Sequence, residues 1–150
     1  MKPKIRTMTL RDYAAVHQLW RATPGIGLHG VEDSRAGIAS FLWRNPRMSF
    51  VAFDGAQLVG AILSGHDGRR GALYHLAVAQ THRKRGLGAA LVARCLAALA
   101  RQKIQKCNIF VYRDNTSGQA FWRHTGWSAR DDLTLLQKPT TGRARPCRGC

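Results

Sequence analysis

Residues 73–78 form an apolar run with strand character. A short polar turn, three consecutive cations and the triplet Gly86-Leu87-Gly88 follow, and then a long stretch rich in alanine and leucine. No other part of the chain constrains the fold so tightly. A strand has to become a helix within a few residues, and the glycines let the backbone there approach a ligand with no side chain in the way. The first turn of the new helix offers N–H groups without intrahelical partners, backed by the positive end of the helix dipole. Arg83, Lys84 and Arg85 add full charges beside those partial ones. The junction reads as an anion cradle suited to phosphate or pyrophosphate.

Spacing narrows the guest. A nucleotide-hydrolase phosphate loop needs four residues between two glycines and then Lys followed by Ser or Thr, and the chain has no such run. The dinucleotide fingerprint needs a third glycine where Leu91 stands, and an acidic residue about twenty positions beyond it, near Lys106. What remains is Arg83-x-x-Gly86-x-Gly88. Further along, Asn115 opens a helical stretch that runs through Ala120-Phe121-Trp122 to Gly126-Trp127.

These two motifs, in this order and at this separation, resemble those of the GNAT superfamily of N-acetyltransferases, and most nearly its small bacterial YpeA-like members. The first matches the superfamily's acetyl-CoA motif, Arg or Gln-x-x-Gly-x-Gly or Ala. The second matches its Asn, short helix with an aromatic pair, Gly and further aromatic. The resemblance runs from the first strand to Gln137. It implies an α/β (α+β) GNAT fold, with a central mixed, mostly antiparallel, twisted sheet of six to seven strands and about four helices, splayed between strands 4 and 5.

Local patterns agree with such a fold. Residues 4–9 read as a strand, and Thr9-x-x-Asp12 as a capping pair opening a helix on which Tyr13, Val16, Leu19 and Trp20 recur at helical spacing. That helix ends before Pro24. The glycine-rich residues 23–30 are a loop, and a second helix covers residues 35–44. Residues 49–53 and 57–64 are β-rich runs joined by Asp54-Gly55-Ala56. A further turn at 65–71 leads into the strand at 72–78, so three strands in succession form an antiparallel meander. The helix from Gly88 to Arg101 carries Leu91, Cys95 and Leu99, with Val92 and Leu96 beside them, as an apolar stripe for the sheet. Residues 108–112 and 133–137 read as the last two strands.

A chain of 150 residues predicts one domain, here residues 1–137. Residues 138–150, where Pro, Thr, Gly and Arg replace the periodic pattern, read as a basic disordered tail. No run approaches the roughly eighteen apolar residues of a membrane span, and the charged N-terminus has no apolar signal core after it. The expectation is a cytoplasmic protein with no membrane partner. Its four cysteines, Cys95, Cys107, Cys147 and Cys150, are then reduced. Cys147-x-x-Cys150 has no second pair nearby to complete a zinc site, so no metal is expected. The net charge of +16 is unevenly placed: residues 1–75 carry ten Lys or Arg against five Asp or Glu, and residues 76–150 fourteen against three. That field suits a highly anionic coenzyme. Nucleic acid is the lesser alternative, because the chain has no aromatic-interleaved basic stripe and no reading helix.

The resemblance implies acetyl-CoA as co-substrate. The amides of Arg85, Gly86, Leu87, Gly88 and Ala89 would hold its pyrophosphate, with Arg83 and Lys84 nearby. Its pantetheine arm would lie along the main chain of Leu76, Ala77 and Val78, where an N–H polarises the thioester carbonyl. Asn115 would bond the arm, a role compatible with capping its helix, and Trp122, counted with the coenzyme-binding residues, occupies the place where many members carry a tyrosine acid. The acceptor is a small-molecule or protein amine, and an amine of pKa about 10.4 has to lose a proton before it attacks. The Glu that some members place near the start of the fourth strand is missing from Gly71-Ala72-Leu73. His75 is the substitute base, or else a hydrogen-bonded core histidine. Asp67 and His66 come second, or serve simply to form their turn. Tyr112, Tyr74 or water would protonate the departing sulfur, if it needs a proton at all. Ile26, Leu28, His29, Glu32 and Asp33 are candidates for contact with the acceptor, or else a surface loop and helix cap. With Asp67, the carboxylates among them favour a cationic amine. A non-catalytic acetyl-CoA-binding regulator stays open, as does the oligomeric state, a homodimer included.

Overall fold

The computed structural model describes residues 2–141. Cys147 and Cys150, and most of the expected tail, lie outside them. The chain divides into two compact units, one ending at Tyr112 and one beginning at Arg113. The first holds β1 (Lys4–Thr7), α1 (Tyr13–Arg21), α2 (Arg35–Arg44), β2 (Phe50–Asp54), β3 (Gln57–His66), β4 (Gly71–Val78), α3 (Leu87–Arg101) and β5 (Cys107–Ile109). Short 3-10 turns at Leu10–Asp12 and Gln80–His82 precede α1 and α3. The second unit holds α4 (Thr116–His124).

The five strands form one sheet in the order β1-β2-β3-β4-β5. Successive pairs from β1 to β4 are antiparallel, and β5 joins β4 in parallel. The α/β GNAT-like plan is present, but among the described residues the sheet has five strands instead of six to seven. Residues 133–137 form no strand: Leu133, Leu135 and Leu136 are 62%, 61% and 86% exposed. Their two adjacent leucines break the period-two alternation, and no neighbouring strand satisfies their backbone groups. β5 is also shorter than the 108–112 expected, and Phe110 beyond it is 59% exposed.

Both faces of the sheet are covered, which is why the middle of β3 is continuously buried. On one face Val16 and Trp20 of α1 and Ile38 of α2 pack with Val51, Ala61, Leu63 and Ala77. On the other, α3 presents Leu87, Leu91, Val92, Cys95, Ala98 and Leu99 as its buried stripe, while Leu96 faces outward. Gly60 and Gly71 let α3 sit this close, since a β-carbon there would lie 2.9 Å from Leu91 and 2.8 Å from Leu99. Cys95 is a core thiol, pushed up to about 12 mainly by burial. The start of α1 is held as its sequence suggests: the Asp12 carboxylate accepts the Thr9 N–H at 2.9 Å, and Arg6 grips it through two bonds of 2.8 and 2.7 Å.

Two features of β4 prepare the site. Its pairing with β5 covers Gly71, Ala72 and Leu73 and then stops, so among the described residues its outer edge from Tyr74 onward has no strand beside it. On its inner side, Ala77 pairs with Ala61 and Tyr74 with Leu63, so Ile62 alone faces both His75 and Leu76. This is a β-bulge, a device that re-aims side chains.

Candidate active site

His75 absorbs the extra residue of the bulge with φ 53. That left-handed conformation costs a residue bearing a β-carbon roughly 1–2 kcal/mol, so its surroundings have to hold it. The His75 carbonyl accepts the Trp20 indole N–H at 3.1 Å, and the two rings meet edge to face at 5.0 Å. The His75 Nε2 lies 2.8 Å from Asp33 Oδ1. Asp33 is buried, and its second oxygen accepts the His29 N–H at 2.8 Å. The Asp33 N–H donates to the His29 carbonyl at 2.9 Å, and the Tyr13 hydroxyl donates to the Asp33 carbonyl at 2.7 Å. Burial by itself would raise the Asp33 carboxyl; the bond from His75, the His29 amide and the electrostatic influence of both residues outweigh it and hold the group below its ordinary value. An ionised carboxylate only accepts, so the His75 Nε2 carries a proton and Nδ1 is left as the basic nitrogen.

The cradle follows β4. Lys84 and Gly86 are both left-handed, at φ 57 and 79, and turn the chain into α3. The first bond within α3 runs from the Ala90 N–H to the Gly86 carbonyl at 3.0 Å, and no side chain caps the helix. The amides of Leu87, Gly88 and Ala89 therefore precede any helical partner. A β-carbon on Gly86 would meet nothing within 4 Å, so open space lies in front of it. Arg83, Lys84 and Arg85 are exposed, and the Arg83 Nε donates to the Val78 carbonyl at 3.0 Å. The Ala79 N–H bonds Val59 on β3; by the alternation of a strand, the Val78 N–H then faces the unpaired edge. His82, which the sequence did not single out, anchors the turn, with Nε2 3.0 Å from Asp54 Oδ2. Nothing local signals that pair, because it joins the end of β2 to a turn 28 residues further on.

A cavity of about 490 Å³ opens between α1 and the segment before α2. Tyr13, His17 and Arg21 line it from one side of α1, with Leu28, His29, Asp33 and Arg35 opposite. Leu28 and His29, which the sequence offers for contact with an acceptor, are among these lining residues. Glu32 is exposed and does not line the cavity; its charge adds to burial in raising the Tyr74 hydroxyl. Tyr112 reaches the same loop, for a β-carbon on Gly27 would overlap its hydroxyl. Asp67 is not brought to His75. Its carboxylate accepts the Arg69 and Arg70 amides at 2.8 Å each, which closes the turn beside Gly71 at the other end of β4. His66 belongs to that turn too, its Nδ1 accepting the Gly68 N–H. In the second unit, Asn115 caps α4 by accepting the Gly118 N–H at 3.0 Å, and Trp122 packs edge to face with Phe121 and Trp127.

A family model described as the acetyltransferase (GNAT) family matches residues 13–127. The chain belongs to this family. An acetyltransferase of Sodalis glossinidius is 30% identical to it over 135 residues, spanning 90% of this chain and 94% of that one. An acetyltransferase of Pectobacterium atrosepticum is 29% identical over 132 residues, spanning 88% and 92%. The PaiA N-acetyltransferase of Thermoplasma acidophilum, solved in complex with coenzyme A, shares the fold at a TM-score of 0.75 and 19% identity, covering 87% of this chain and 92% of its own. As a GNAT member the protein is an acyltransferase enzyme, and acetyl-CoA is the family's acetyl donor. Among the described residues no helix is long and apolar enough to cross a membrane, and no group of three His, Cys, Asp or Glu is placed to hold a metal.

Proposed function

We propose that this GNAT enzyme transfers acetyl directly from acetyl-CoA, laid along the edge of β4 beyond its pairing with β5, to a primary amine held in the cavity that Asp33 borders, with His75 removing the amine's proton. What carries the reading is the bulge: it sets a histidine, fixed in one tautomer by an ionised Asp33, on the length of β4 that among the described residues has no strand paired on its outer edge.

The residues present fit the coenzyme, since uncapped amides, exposed cations and open space before Gly86 coincide. The amides of Leu87, Gly88 and Ala89 would bind its diphosphate, with Arg83, Lys84 and Arg85 beside them. Each hydrogen bond to a charged group contributes on the order of 1.5–3 kcal/mol. The main chain of Leu76, Ala77 and Val78 lines the path of the arm, and the Val78 N–H is the donor available to polarise a carbonyl. When bound, acetyl-CoA supplies an activated acetyl thioester. His75 takes the ammonium proton on Nδ1, and Asp33 stabilises the imidazolium that results, an effect of roughly 10²–10⁴-fold. We assign Tyr112 to protonate the departing thiolate, because its hydroxyl reaches the loop that borders the acceptor cavity. The coenzyme roles of Asn115 and Trp122 rest on the motif alone.

The test is thiol release from acetyl-CoA against a panel of amines, with wild type and His75→Asn compared. Asparagine tolerates the left-handed backbone better than most residues, so the variant removes the base and keeps the bulge. Its kcat/KM should fall at least about 100-fold while acetyl-CoA still raises Tm. An unchanged pH–rate profile in the variant would remove His75 from the chemistry. Coenzyme binding without release for any amine would make the protein a regulator.

A further inference from the structure

The cavity between α1 and the segment before α2 is basic, contrary to what the sequence suggested of its carboxylates. Arg21, Arg35, His17 and His29 line it, against one acid, Asp33. Both Asp33 oxygens are already occupied, one by the His75 ring and one by the His29 amide. Glu32, the chain's one glutamate, lies outside the lining, and Asp67 closes a distant turn. Among the described residues the ion pairs join Arg6 to Asp12, His75 to Asp33, His82 to Asp54 and Arg130 to Asp132. Neither Arg21 nor Arg35 has a carboxylate partner there.

Arg35 is also oriented. Its guanidinium lies 5.9 Å from the centre of the Tyr13 ring, within the range of cation–π attraction. Tyr13 is itself fixed by its bond to the Asp33 carbonyl. A planar fork held over a rigid ring loses little further freedom when it binds, and such forks match carboxylate and phosphate oxygens two at a time. A polyamine entering here would meet four basic side chains and one carboxylate whose two oxygens already have partners. An amine bearing an anion would find two unpaired arginines, and Asp33 joins this cavity to His75.

Resting on the reading of this cavity as the acceptor site, we propose that the acceptor is a small amine carrying a carboxylate or phosphate group, the anion held by Arg21 and Arg35 and the amine directed toward His75. The volume of about 490 Å³ suits a metabolite-sized molecule. Both arginines are exposed side chains outside the core, so replacing them should leave the fold intact.

The test measures binding to the full chain in the presence of CoA by calorimetry, using phosphoethanolamine against ethanolamine, β-alanine against propylamine, and spermidine. The anionic member of each pair should bind at least tenfold more tightly. The Arg21→Gln, Arg35→Gln double variant should erase that difference while leaving the Tm increase given by acetyl-CoA unchanged. Equal binding within the pairs, tighter binding of spermidine, or a preference that survives in the double variant would overturn the proposal. Thiol release read in parallel separates the two ideas. Anion-selective binding without turnover supports the acceptor class and sinks direct transfer, whereas turnover of ethanolamine and spermidine without anion preference sinks the acceptor class and leaves transfer standing.

Discussion

His75 and Asp33 depend on each other in a way neither residue announces. The histidine sits in a backbone conformation that disfavours it, and the aspartate is buried where a carboxyl would ordinarily be driven neutral. Each is held by the other together with Trp20 and His29. The folded pKa of Asp33 lies below its unfolded value of about 3.9, so the stability it contributes is full above that value and is lost as pH falls through the lower, folded one. We expect Asp33→Asn to destabilise the protein by about 1–3 kcal/mol at neutral pH, with the gap to wild type closing below about pH 4, measured by urea unfolding across pH. A gap that persists in acid would mean that packing, not charge, is what Asp33 contributes. His75 was visible in the sequence as a titratable residue near the end of a strand. Asp33 was visible only as a loop carboxylate, because its partner lies 42 residues away.

At the scale of elements, the junction between β4 and α3 turns on Gly86. Its φ of 79 is a conformation glycine adopts freely, while the space around it is open. A larger residue would therefore be opposed by backbone strain and by blocking the ligand, not by a clash within the protein. Gly86→Val should lower stability by roughly 1–2 kcal/mol and reduce acetyl-CoA binding by more than tenfold, read by unfolding and calorimetry on the same sample. Loss of stability with binding intact would show that the cradle lies elsewhere. The junction, the Thr9–Asp12 cap and the bounds of α2 were legible in sequence because each is written in neighbouring residues. The length of β5 and the absence of a strand at 133–137 were not, since a strand exists only where another edge accepts its backbone bonds.

For the whole molecule, the excess of positive charge should govern the encounter with the coenzyme. Acetyl-CoA at about one hundred times its Kd should add about 2.7 kcal/mol, a rise in Tm of roughly 5–10 °C for a chain of this size. At about 1 M salt, where the screening length falls to about 3 Å, the same coenzyme concentration should give a clearly smaller rise, measured by differential scanning fluorimetry. A salt-independent shift would assign binding to uncharged contacts. Sequence by itself determined the succession of strands and helices from β1 to α4, the glycine junction and hence the family, because these are set by short-range sterics, capping and the repeat of apolar residues. Tertiary structure decided where β4 stops pairing with β5, that Asp33 answers His75, and that arginines line the cavity that Asp33 borders. Those depend on register and on approach between residues far apart in the chain, and no local pattern encodes the distance between two side chains that folding brings together.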